Sequence, residues 1–147
     1  MTDDARRRPR PGASVAASDG ESLTLDQAFD GDSLYALRAA VAAHGSQAGL
    51  SEGRTRDLVL AVHELAANAV RHGAGQGRLR LWAAHDAVRC EITDEGAPGE
   101  ADAADAARWQ AEPGHGLWLV RRIADSASVQ SGASGTVAAV IFRRVWS

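Results

Sequence analysis

Lysine is missing from this chain: all 16 of its basic residues are arginine. That absence excludes two nucleotide-binding schemes, the Gly-x-x-x-x-Gly-Lys loop and the strand lysine of ordinary protein kinases. Cysteine occurs once, at Cys90, so no internal disulfide can form and the chain reads as a cytoplasmic protein. No apolar run is long enough to span a membrane. The basic Arg6-Arg7-Arg8 has no apolar segment after it and fails as a secretory signal. No excess of positive charge exists either. The net charge of -3 argues against direct contact with nucleic acid or an anionic membrane as the main business of the protein.

What is present is enough for one domain. A hydrophobic share of 45% over 147 residues is that of an ordinary globule large enough to bury a core. Residues 1–20, rich in Arg, Pro, Ser and Asp, read as a disordered tail, and residues 21–147 as the domain. A short strand is expected over residues 21–25. A helix capped by Asp32 or Ser33 follows to about Ala43, with Leu34, Leu37, Ala40 and Val41 on its apolar side. Ser51 caps a second helix that stops at Gly73. Gly75-Gln76-Gly77 reads as a turn. Leu79, Leu81 and Ala83 then alternate with Arg78, Arg80 and Trp82, and Val88, Cys90 and Ile92 with Arg89, Glu91 and Thr93. These are two half-buried strands hinged at His85-Asp86.

Residues 95–113 are a long Ala, Gly, Asp and Glu stretch with Trp109 its one large apolar residue, a length that usually marks function or disorder. Gly114-His115-Gly116 opens a third helix with Leu117, Val120, Ile123 and Ala124 on its buried side. Two last strands, 127–131 and 136–144, turn at Gly132 to Gly135. Strands that come late and pair as hairpins, with helices before and between, predict an α+β sandwich. Its sheet is mixed and mostly antiparallel, with helices on one face.

Three separated pieces suit a nucleotide. In the second helix Glu64 and Asn68 are four residues apart, on neighbouring places of one face, while Leu58, Val62, Leu65 and Ala69 form a separate apolar stripe. An amide oxygen can ligate a hard cation such as Mg²⁺, and a carboxylate beside it can take a proton from an attacking hydroxyl. Asp94 ends a strand just before Gly96, where it can accept from an exocyclic amine. Gly114 to Gly116 precedes a helix whose free amides and dipole attract phosphate. Singly, each has a commoner meaning: a capping carboxylate, a tight turn, a solvated face. Their order and spacing carry more weight.

In that order the chain resembles the GHKL ATPases of the Bergerat fold, and most closely the bacterial anti-sigma serine/threonine protein kinases. The resemblance covers about residues 21–144. Glu64-x-x-x-Asn68-Ala-x-x-His72-Gly73 is similar to the family's N box, Asp94-Glu95-Gly96 to its first glycine box, and Gly114-His115-Gly116-Leu117 with Val120 to its second. Gly135-Thr136 is similar to the late Gly-Thr beside adenine. The resemblance implies ATP and Mg²⁺ as cofactors. It assigns Glu64 as general base, Asn68 as metal ligand, and Asp94 with Thr136 as the adenine reader. Gly114 and Gly116 then face phosphate, Arg71, His72 and His115 border it, and residues 95–113 form a mobile ATP lid. The implied partners are an anti-anti-sigma protein of the STAS type and an RNA polymerase sigma factor. Family members often dimerise, and the early helix, about residues 33–43, offers a homodimer contact. Two departures stand out. Ala97-Pro98-Gly99 delays the second glycine of the first box by one residue, and His115 replaces a frequent arginine. Phosphate charge then falls to the metal, Arg71, or Arg108 of the lid.

His63-Glu64 begins like a zinc protease helix, but Ala67 stands where the second histidine belongs, so His63 reads as a packing or surface residue. Trp82, Trp109, Trp118 and Trp146 read as core or interface residues. An acid at position 64 favours a seryl or threonyl acceptor over histidine, because a hydroxyl is the weaker nucleophile and gains from a base. A second reading stays open: a protein-binding module that holds nucleotide only as structure and regulates by docking.

Overall fold

A computed structural model of the chain describes residues 20–72, 75–94, 116–132 and 135–144. In chain order its elements are β1 (Ser22–Asp30), a 3-10 turn (Gly31–Ser33), α1 (Leu34–Gln47), α2 (Glu52–His72), β2 (Gln76–Ala83), β3 (Ala87–Asp94), α3 (Gly116–Ile123), β4 (Ser126–Gly132) and β5 (Gly135–Arg143). The five strands form one sheet in the order β1-β2-β3-β5-β4. Each of the four pairings is antiparallel, so the mostly antiparallel sheet expected has no parallel neighbours among the described residues. The helices pack on one face, which makes the predicted α+β sandwich. No helix among the described residues is long and apolar enough to cross a membrane. The sequence's tail (residues 1–19) lies outside the described residues.

The core lies between helices and sheet. Leu58, Val62, Leu65 and Ala69 of α2 are all buried against Leu79 and Leu81 of β2, Val88, Cys90 and Ile92 of β3, and Val140 and Phe142 of β5. Leu37 and Val41 of α1 and Leu117 and Val120 of α3 complete it. Burial pushes the Cys90 thiol well above its ordinary range, so it is a neutral packing group at physiological pH.

Four expectations need correction. β1 runs to Asp30, not to residue 25, because Asp26 faces away from the helices and is held there by Arg78 and Arg80 of the paired strand. α1 continues past Ala43 through Gly45, a buried glycine at which a Cβ would lie 3.0 Å from Leu58 Cδ2. The missing side chain lets the two helices close together. Of the two caps expected, Ser33 and not Asp32 stands at the N-cap position of α1, but its side chain makes no capping bond to that helix. It instead joins Asp30 in a reciprocal capping box over the 3-10 turn. Gly77 lies in β2 rather than in a turn. A Cβ there would stand 2.6 Å from the Thr93 carbonyl oxygen and 2.7 Å from Phe29 Cζ. Ser51 does cap α2, its hydroxyl accepting from the Arg54 amide at 3.1 Å.

The second face of the sheet is not the solvated surface that alternation suggests. Arg89 donates through Nε and Nη2 to Glu21 and through Nη1 to Glu91, and it lies 4.0 Å above the Trp82 ring. Burial works against its charge, but the hydrogen bonds and negative charges of Glu21 and Glu91 more than offset this and hold the guanidinium protonated.

Candidate functional site

Topology collects the candidate residues at one end of the sandwich. Three residues separate the end of α2 from the start of β2, and Gln76 at that start pairs with Asp30 at the end of β1. Because β3 runs back beside β2, its last residue, Asp94, lies at this same end, and Asp94 pairs with Thr136 at the start of β5. α2 therefore points its C-terminal half, with Glu64, Asn68, Arg71 and His72, towards the end that carries Asp94 and Thr136. α3 must descend from this end, because it connects the top of β3 to the bottom of β4. Arg54 near the start of α2 donates to the carbonyl of Ile123 at the end of α3, 3.1 Å away, so the two helices are antiparallel. From Ile123 back to Gly116 is a rise of ~10 Å at 1.5 Å per residue, which brings the start of α3 level with the middle of α2.

Asp94 and Thr136 extend the core-facing row of pairs Val88–Phe142, Cys90–Val140 and Ile92–Ala138. Side chains two apart on a strand share a face. The carboxylate thus emerges on the helix side, where the hydrophobic row stops, and it is buried. Gly135, with φ +118, adopts a backbone that other residues rarely take, so the glycine before Thr136 is required by the β4–β5 turn.

Asn68 departs from the expected geometry. Rather than standing beside Glu64 on an open flank, it is fully buried, at 0% exposure, while Glu64 is half-buried. Its Oδ1 accepts from Arg71 Nη2 at 2.8 Å. Its Nδ2 is buried and has no hydrogen-bond partner among the described residues. A buried amide with an unmet N–H costs about 1–3 kcal/mol, a cost that a bound acceptor at this position would relieve. An amide offers N–H to phosphate oxygen and its oxygen to a hard cation once Arg71 gives that oxygen up, so the side chain has the chemistry for a polyphosphate and its metal. Asn68 is the observation on which the nucleotide fits.

His72 closes α2 and is half-buried. Leu117 is buried in the core, which leaves only its backbone for a ligand. Gly116 is the first residue of α3. Gly73, Gly96, Gly114, His115, Arg108 and the whole expected lid (residues 95–113) lie outside the described residues. The sequence reading missed the clasp below the site. Arg54 reaches the Asp125 carboxylate and stacks 4.8 Å from the Phe142 ring, and Asp125 also accepts from the Arg143 amide at 2.8 Å. No periodic pattern announces such a clasp; an Arg and an Asp 71 residues apart meet only in the fold.

A family model described as histidine kinase-like ATPase domain matches residues 28–142. No curated protein is similar enough in sequence to match. The crystal structure of the RsbU and RsbW domains of Rv1364c from Mycobacterium tuberculosis is similar in fold, with a TM-score of 0.58 at 18% identity over 82% of this chain. This chain spans 32% of that one. The family match takes in the N-box helix, the β3 terminus at Asp94 and the Gly-Thr of β5, so the chain belongs to the histidine kinase-like ATPase domain family, the GHKL type that its three boxes resemble.

Proposed function

We propose that this domain is an anti-sigma regulatory kinase. It binds Mg·ATP, phosphorylates a serine or threonine of an anti-anti-sigma partner of the STAS type, and sequesters a sigma factor when that partner is absent. The observation that carries the reading is Glu64 one helical turn before a buried, ligand-seeking Asn68 in a chain of this family. When bound, Mg·ATP supplies the phosphoryl group and the metal's charge. Asn68 is the residue to hold the metal, and Asp94 with Thr136 the pair to accept the adenine amine. Glu64 takes the proton of the acceptor hydroxyl at its carboxylate, a task worth roughly 10²- to 10⁴-fold in rate. Arg71, His72 and the amides from Gly114 to Gly116 are the groups to meet phosphate.

The test is phosphotransfer. Incubation with labelled ATP and the cognate partner should label that partner, and Glu64→Ala should abolish labelling while ATP binding persists. Labelling that survives the substitution removes Glu64 as base. The docking-module reading is favoured by two features, the delayed glycine at Gly99 and His115 in place of a frequent arginine. Mg²⁺-dependent ATP binding without any phosphotransfer is the result that would establish it.

A further inference from the structure

We propose that Arg71 presets the Asn68 amide to receive an anion, so that this chain holds the triphosphate of ATP even without a divalent metal. The inference rests on the nucleotide-binding reading above and deepens it. A guanidinium has donors and no acceptor, so the atom of Asn68 that faces Arg71 must be its oxygen. With the oxygen held at 2.8 Å, the amide nitrogen is the group left over, and it is buried without a partner among the described residues. Two N–H donors and a neighbouring positive charge form a subsite for phosphate oxygen.

A metal asks for the opposite. It needs the oxygen, and one lone pair of that oxygen is already turned to a cation whose charge repels a second one at short range. Arg71 therefore does part of the work of Mg²⁺ in the ligand-free domain and must yield its hydrogen bond when the metal arrives. A plain helix-surface pair is the competing account, since residues three apart on a helix often meet. It does not explain why the acceptor is fully buried, or why half of its amide is left unsatisfied.

Calorimetric titration of the full chain with ATP, once in Mg²⁺ and once in EDTA, tests this with the wild type and Arg71→Gln. Arg71 is exposed but donates to the buried Asn68 oxygen, so the substitution is to glutamine, which keeps an amide donor. The fold of the variant is checked by its melting temperature, expected within a few degrees of the wild type. The wild type should bind in EDTA within about threefold of its affinity in Mg²⁺. Arg71→Gln should lose roughly tenfold or more in EDTA, the scale of one charge-assisted hydrogen bond, and far less in Mg²⁺. Equal metal dependence of the two proteins, or wild-type binding abolished by EDTA, overturns the role of Arg71 and leaves the kinase reading intact. Failure of the wild type to bind ATP even with Mg²⁺ overturns both.

Discussion

Asp94 and Thr136 face each other across β3 and β5 as the last pair of a row that is otherwise hydrophobic. A carboxylate at the end of a core-facing row, buried at 8% exposure, has been given a position where apolar packing ends and a ligand can begin. Asp94→Asn keeps the shape and removes the charge. It should weaken ATP binding about 10- to 100-fold, the loss of a charge-assisted hydrogen bond. A titration in which Asp94→Asn binds ATP as the wild type does would remove Asp94 from the adenine site.

Gly77 is wedged between the Thr93 carbonyl and the Phe29 ring. One of those neighbours is backbone in a paired strand and cannot swing aside. Gly77→Ala should therefore destabilise the fold by about 1–3 kcal/mol, as overpacking does. Chemical denaturation measures it, and an unchanged midpoint would mean that β2 and β3 separate there at no cost.

Arg89 is the cation of a buried cluster with two carboxylates. Arg89→Met should cost about 3–5 kcal/mol, because Glu21 and Glu91 would remain buried without their partner. Adding Glu21→Gln and Glu91→Gln to that variant should recover much of the loss. If the triple variant is no more stable than the single one, the cost lies in packing against Trp82 and not in the stranded charges.

Asp26 predicts an acid-limb effect. Burial works against its charge, but the hydrogen bond and charge of Arg78, with Arg80 behind it, hold the carboxyl below its ordinary 3.8. A carboxyl lowered in the fold adds stability in full above the unfolded value, and that stability disappears as pH falls through the folded value. Asp26→Asn should flatten the decline of stability below about pH 4. Denaturation midpoints across that range decide it, and an identical acid limb in both proteins would contradict the prediction.

Most of the architecture was legible because it rests on period. The stripe Leu58, Val62, Leu65, Ala69 and the alternation in β2 and β3 report which side of each element is apolar, and the structure buries those residues. The element ends were less legible. β1 overran its expected end because Asp26 is a polar residue satisfied across strands, and nothing local reveals a partner 52 residues away. Arg89 and Glu91 were read as solvent-facing for the same reason: alternation says that two sides differ but not that the second is wet. In the site, spacing set Glu64 and Asn68 on one helix but could not foresee that Asn68 is fully covered, with Arg71 on its oxygen.

The chain's own order of residues determined the kind of elements, their apolar faces and the three boxes, since those follow from helical and strand periods and from side-chain chemistry. Only the tertiary structure decided that α2, the end of β3 and the start of β5 share one end of the sandwich. It alone decided which lone pair of Asn68 is occupied and how the second face of the sheet is closed by Arg89. These depend on contacts between residues far apart in the chain, whose free energy exists only after the backbone has brought them within a few ångströms.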